Sequence, residues 1–423
     1  MTGHAETPAG TPPAEALEPR LDRLAAVAVR VGLNLQPGQE LVMTAPLEAL
    51  PLARAITAEA YRAGASLVTT FLGDDVQSLA RFAHAPDAAF DTAAGWLYAG
   101  MAEAYRNGAA RLAISGDDPS LLVGQDPGKV ARANRARSKA YVPALELIAN
   151  FATNWTIVSA ATPAWARTVF PGLPEGEAVA KLWDAIFAAS RVDGPDPLGA
   201  WAAHNADLHA RMDALNANRF SALRFHGPGT DLTVGLADDH EWCGGAATSR
   251  SGVTCNANIP TEEVFTTPHR DRVHGHVTST KPLSYQGTLI DGIAVRFEAG
   301  RIVEARARTG GDVLANVLDT DEGARHLGEV ALVPASSAIS ASGLLFYNTL
   351  YDENAASHIA LGQAYSKCFR DGGAAFSEAD LAARGANRSL IHIDWMIGSS
   401  EIDVDGIRAD GQAVPVMRGG EWA

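Results

Sequence analysis

Two hydrophobic rhythms alternate through the first half of the chain. AEALEPRLDRLAAVAVRVGL carries apolar residues three and four apart, the period of an amphipathic helix, whereas ELVMTAP from Glu40 is an apolar run of strand length. LEALPLARAITAEAYRAGA then reads as a helix closing on Gly64, and SLVTTFLGDD as a strand. DTAAGWLYAGMAEAYRNGA and ARLAISGDD repeat that order, so AYRAGA and AYRNGA, each followed by a short apolar run and Gly-Asp-Asp, predict one helix-to-strand unit used twice. A further helix over ANRARSKAYVPALELIANFATN precedes the strand WTIVSAA, and helical stretches run from about Glu175 to Asn218. Strands separated by helices of this length suit a parallel sheet, because each crossover must span the sheet.

From about Arg219 the rhythm changes. ALRFHG, DLTVGLA, HGHVTSTKPLS, GIAVRFEAG and RIVEARARTG are short, alternating and joined by Gly- and Asp-containing turns, an antiparallel signature. The expected fold class is therefore α/β: an open, largely parallel sheet domain over 16–218, then an α+β, mainly antiparallel domain over 219–423 that holds the metal-binding candidates. The polar, Pro-rich residues 1–15 form a lead expected to be mobile.

Composition narrows the function. A net charge of -15 offers no basic track for nucleic acid or an anionic membrane surface. Cys243, Cys255 and Cys368 are widely spaced without a CxxC, so they form neither a disulfide framework nor a zinc-thiolate cluster. The start has no signal-peptide pattern and no window is apolar over 18 residues, which makes the cytoplasm the expected location. No strand leads into GxGxxG or GxxxxGK[ST], and Asp74-Asp75 and Asp117-Asp118 stand where a phosphate would be repelled. HExxH and GxSxG are also absent. His269, His274 and His276 lie among arginines, and His204 and His209 are five apart, a poor shared helix face.

Four polar clusters remain among apolar strands. In IHIDW, alternation puts His392 and Asp394 on one face of a strand, about 7 Å apart along it. In HLGEVALVP, Glu329 opens a near-continuous apolar strand, where a carboxylate is costly unless paired, protonated or bound to metal. In NIPTEEVF, Glu262 and Glu263 point to opposite sides of an extended segment, so one of them at most is expected to be a ligand of a single site. ENAASHIALGQAYS reads as a helix capped by Asp352 or Asn354, with His358 and Tyr365 two turns apart on one face. Glu263, Glu329, His358, His392 and Asp394 supply more hard ligands than one tetrahedral zinc uses, and suit two divalent ions if one carboxylate bridges.

The strings NIPTEEVFT, GEVALVP, YNTLYDENAASHIALGQAY and HIDWMIGS, with LRFHGPGTDLTVGL upstream, resemble the thermophilic aminopeptidases of metallopeptidase family M29 over almost the whole chain. That resemblance implies two divalent ions (zinc, cobalt, manganese or magnesium) held by Glu263, Glu329, His358, His392 and Asp394, with Tyr365 as a catalytic tyrosine. It also implies a homodimer and short peptide substrates with a free N-terminus. Glu262, beside a ligand, is the candidate for proton transfer. The ligands alone do not choose the scissile bond. An amidase, a phosphoesterase or a non-catalytic metal-stabilised binding protein stays open at this point.

Overall fold

The computed structural model describes residues 16–285, 288–373 and 376–423; the expected mobile lead, 1–15, lies outside them. The first sheet has four parallel strands in the order Leu67–Gly73, Glu40–Pro46, Ala110–Ser115, Trp155–Ser159. Its central strand buries Leu41 and Met43 in one apolar cluster, with Leu24, Ile56 and Phe187, and Val42 in another, with Met101, Tyr105 and Ile148. Opposite faces of one strand thus enter two cores, which is why the strand is apolar throughout rather than alternating.

The repeated unit is present twice. The helices Leu50–Arg62 and Gly95–Arg106 each end at a glycine of positive φ, Gly64 at 98° and Gly108 at 90°, and feed the strands on either side of Glu40–Pro46. At the first Gly-Asp-Asp, the Asp74 side chain accepts from the Val76 amide and caps the next helix, an ordinary turn role.

The last long helix, Pro197–Asn218, is followed by an antiparallel eight-stranded sheet that begins at Ala222–Gly227 and ends at Glu421–Trp422. A second antiparallel sheet has five strands in the order His392–Met396, His358–Gly362, Leu327–Leu332, Val264–Thr266, Cys243–Gly244. One core joins the two sheets through Phe225, Val234, Val273, Val330, Ile359 and Trp395.

One expected element is corrected. ENAASHIALGQAYS is not a helix: a short helix Thr349–Asp352 and a 3-10 turn Glu353–Ala355 lead into the strand His358–Gly362. The short apolar run 359–362 does not distinguish strand from buried helix, and pairing on both sides decides the matter here. Gly362, at φ 98°, would place a Cβ 2.1 Å from the Ile391 carbonyl oxygen, so the neighbouring chain comes closer than any side chain allows. The proposed caps change with it. Asn348 caps the short helix, Asp352 accepts the Phe346 and Asn348 amides, and Asn354 reaches Leu350 and Glu262.

Candidate metal centre

Sheet register collects four of the five candidate ligands. Glu329 lies opposite Ala360, which lies opposite Asp394, and residues directly opposite share a face. His358 is two residues from Ala360 and His392 two from Asp394, so all four side chains leave the same face. Glu263 joins from the edge of Val264–Thr266, the strand that pairs with Leu327–Leu332 on its other side. The sequence pattern foresaw His392 and Asp394 on one strand face. His358 reaches the cluster by strand pairing instead of helical register.

The groups form two overlapping sets, Glu263 with Glu329 and His358, and Glu329 with His392 and Asp394, with each set's ligand atoms within 4.8 Å of one another. His358 Nε2 is 3.1 Å from Glu263 Oε2 and 3.5 Å from Glu329 Oε1. His392 Nε2 is 3.9 Å from Glu329 Oε2 and 3.4 Å from Asp394 Oδ1. Glu329 therefore offers one oxygen to each set, the disposition of a bridging carboxylate.

Both imidazoles are aimed by their other nitrogen. His358 Nδ1 lies 3.1 Å from the Ala356 carbonyl oxygen and His392 Nδ1 2.8 Å from that of Gln363, contacts in which Nδ1–H donates and Nε2 is left free as a ligand. Among the described residues, Glu263 Oε2, His358 Nε2 and Asp394 Oδ1 are all buried with ion-pair contacts to one another or to His392 but no well-directed hydrogen bond. Buried polar atoms are rarely left so. Oxygen and imidazole donors converging on a shared carboxylate are the donor set that two divalent cations require, so these residues fit such ions.

Crowding shows in the protonation of the metal-free cluster. Burial, then the charges of Glu263 and Asp394, raises Glu329 above the usual carboxyl range, although His358 opposes the rise. Burial would lower both imidazoles, but Glu263 and Glu329 raise His358 well above its ordinary value, and Asp394 with Glu329 raises His392 to about 10. Burial alone would raise Asp394, yet His392 holds it below the usual value. Without cations the site thus stores protons on its histidines, and cations must displace them.

Tyr365 follows the strand in a turn and packs on His392, with ring centroids 4.6 Å apart. It is 40% exposed at the rim, and burial of the phenol near Glu329 and Asp394 keeps it protonated far above its normal range. Glu262 faces the other way from Glu263, as the extended backbone requires. It is buried in an ion pair with Arg191, Nη1 to Oε1 at 2.7 Å and Nη2 to Oε2 at 2.8 Å. His269, His274 and His276 lie on a different strand and take no part in either set.

Sequence reading missed one acidic residue. Glu353, in the turn before the His358 strand, makes no hydrogen bond or ion pair among the described residues. Burial, then the negative charges of Glu263 and Asp394, raises it well above the carboxyl range. Only the mistaken helix concealed it, since DENAASH holds it five residues before His358.

Two cation sites sharing a buried carboxylate, with a protonated phenol at the rim, define a metal-dependent hydrolase. Comparison with known proteins gives the particular lineage: residues 17–422 match the thermophilic metalloprotease family M29, and the chain belongs to that family. It is 56% identical to aminopeptidase T of Thermus thermophilus over 96% of this chain and 99% of that one. It is 47% identical to aminopeptidase 2 of Geobacillus stearothermophilus over 96% of this chain and 98% of that one. The solved structure of wild-type AmpT from Thermus thermophilus superposes with a TM-score of 0.91, covering 96% of this chain and all of that one.

Proposed function

We infer that the protein is an aminopeptidase that releases the N-terminal amino acid of short peptides with the help of two divalent cations. The observation that carries this reading is Glu329, with one oxygen turned toward each ligand set, in a chain 56% identical to an aminopeptidase along nearly its whole length. Glu263, Glu329 and His358 would hold one ion, and Glu329, His392 and Asp394 the other. Such a pair supplies Lewis acidity for a scissile carbonyl and a water nucleophile at neutral pH.

The chain's own groups do the rest. Tyr365, kept protonated, donates from Oη to the negative charge that develops on the carbonyl oxygen during attack. The Glu353 carboxyl, kept protonated beside the cluster, can still accept a hydrogen bond from a free α-amine, which an acetylated one offers less well, and this favours cleavage at the first residue. In a proton-transfer role Glu262 would first have to leave Arg191, so we assign it to holding the site.

The homodimer rests on the family resemblance; among the described residues no helix is long and apolar enough to cross a membrane. An amino-acyl anilide, its N-acetylated form and an aryl phosphate, assayed with zinc, cobalt, manganese or magnesium, test the function. The free amine is expected to be cleaved at least about a hundredfold faster than the acetylated form, a discrimination within reach of a site built around a polar group. Equal cleavage of both, or phosphate release in place of the anilide, contradicts it.

A further inference from the structure

Glu263 differs from the histidine ligands in how it is held. Its Oε2 has no well-directed hydrogen bond among the described residues and its one close polar neighbour is the fellow ligand His358 at 3.1 Å, whereas each imidazole is aimed by a carbonyl. Its direction is therefore imposed by the backbone, and that backbone lies on the first half of the chain. Ile157, in the last parallel strand, donates to the Ala257 carbonyl at 2.9 Å and accepts from the Ile259 amide at 3.0 Å. The Asn256 amide donates to the Gly32 carbonyl at 3.0 Å, and His204 Nε2 lies 2.8 Å from the Thr261 carbonyl oxygen.

The last anchor before Glu263 is the ion pair of Glu262 with Arg191. Arg191 Nη2 donates to Oε2 at 2.8 Å while Nη1 lies in ion-pair contact with Oε1 at 2.7 Å, and the Glu262 side chain is only 4% exposed. A paired fork of this kind fixes orientation as well as distance. The guanidinium also lies 5.6 Å from the centre of the Trp201 ring, whose Nε1 donates to the Ser190 carbonyl at 2.8 Å. From the other side, the Glu262 amide donates to Asn354 Oδ1 at 2.7 Å. Adjacent residues of an extended segment point oppositely, so gripping Glu262 sets the angle at which Glu263 enters the cluster.

We propose that Arg191 is a positioning residue of the metal centre, which grips Glu262 so that the parallel-sheet half of the molecule sets the cation affinity of the site formed with Glu263. The inference rests on Glu263 being a ligand. Outer partners of metal ligands characteristically change affinity by about 10- to 100-fold.

The test is zinc titration of chelator-stripped full-length protein, with the melting temperature of the metal-free form measured in parallel. Arg191→Met alone leaves the buried Glu262 with only His204, 3.8 Å away, and risks misfolding, so the decisive variant combines Arg191→Met with Glu262→Met. It is expected to melt like the wild type without metal and to bind one of its two zinc ions about 10- to 100-fold more weakly. Arg191→Lys, which keeps the charge and loses the fork, falls between and replaces the double variant if that does not fold. Wild-type zinc affinity in the variant used overturns the proposal. Glu263→Gln separates the two readings: if it binds both ions with wild-type affinity, the ligand assignment fails. If it loses an ion while the Arg191 variants keep both at full affinity, only the positioning role fails.

Discussion

The two halves of the molecule treat buried carboxylates in opposite ways. In the parallel-sheet half Glu59 is buried and answered at once, by Arg30 at 2.6 Å and Arg62 at 3.2 Å. In the antiparallel half Glu263, Glu329 and Asp394 are brought together with two histidines and, among the described residues, no arginine or lysine as an ion-pair partner. Unpaired buried charge costs several kcal/mol per ion, so a fold keeps such a cluster only where a cation completes it. The half that neutralises its own charge supplies a framework, and the half that leaves charge over supplies chemistry.

Breaking the shared carboxylate should do the greatest damage. Glu329→Gln is expected to abolish binding of both ions and to lower kcat/KM on the order of a thousandfold or more, as metal content and anilide hydrolysis would record. Retention of both ions would place the bridge elsewhere. Tyr365→Phe should lower kcat about 10²- to 10³-fold with both ions retained, because it removes a donor to developing charge and no ligand. Unchanged turnover would end that role.

The contrast sharpens with a change in the other half. Ile56 is fully buried in the core of the parallel sheet, and Ile56→Ala should cost about 2–5 kcal/mol of stability in denaturant titration. Zinc affinity of the folded protein should stay unchanged, and a loss of affinity without unfolding would blur the division of labour. The smallest effect expected is that of pH on the metal-free protein. His392 titrates near 10 in the folded chain against about 6.5 unfolded, so its contribution is complete below about pH 6.5 and is lost as pH rises toward 10. The melting temperature of the stripped protein should fall by a few degrees between pH 7 and 10. A flat or rising profile contradicts the imidazolium assignment.

The sequence made the chemistry more legible than the geometry that assembles it. His392 and Asp394 announce themselves because strand alternation is a local rule, and Glu329 because a carboxylate inside GEVALVP has no local excuse. The parallel sheet was legible for a similar reason, as its helix-to-strand unit recurs with the same Tyr-Arg and Gly punctuation. His358 is a candidate in the sequence but falls on the wrong element there, because HIALG becomes a strand only through partners 27 to 34 residues before it and 30 to 38 after it. Glu353 disappeared within that mistaken helix. Arg191 was beyond reach altogether, since an ion pair spanning 71 residues leaves no periodic trace.

The most direct measurement is anomalous diffraction from crystals of the protein loaded with cobalt or zinc. The account predicts two peaks per chain about 3.5 to 4 Å apart, with Glu329 between them, Glu263 and His358 on one, and His392 and Asp394 on the other. A single peak, or two peaks that do not share Glu329, would contradict it.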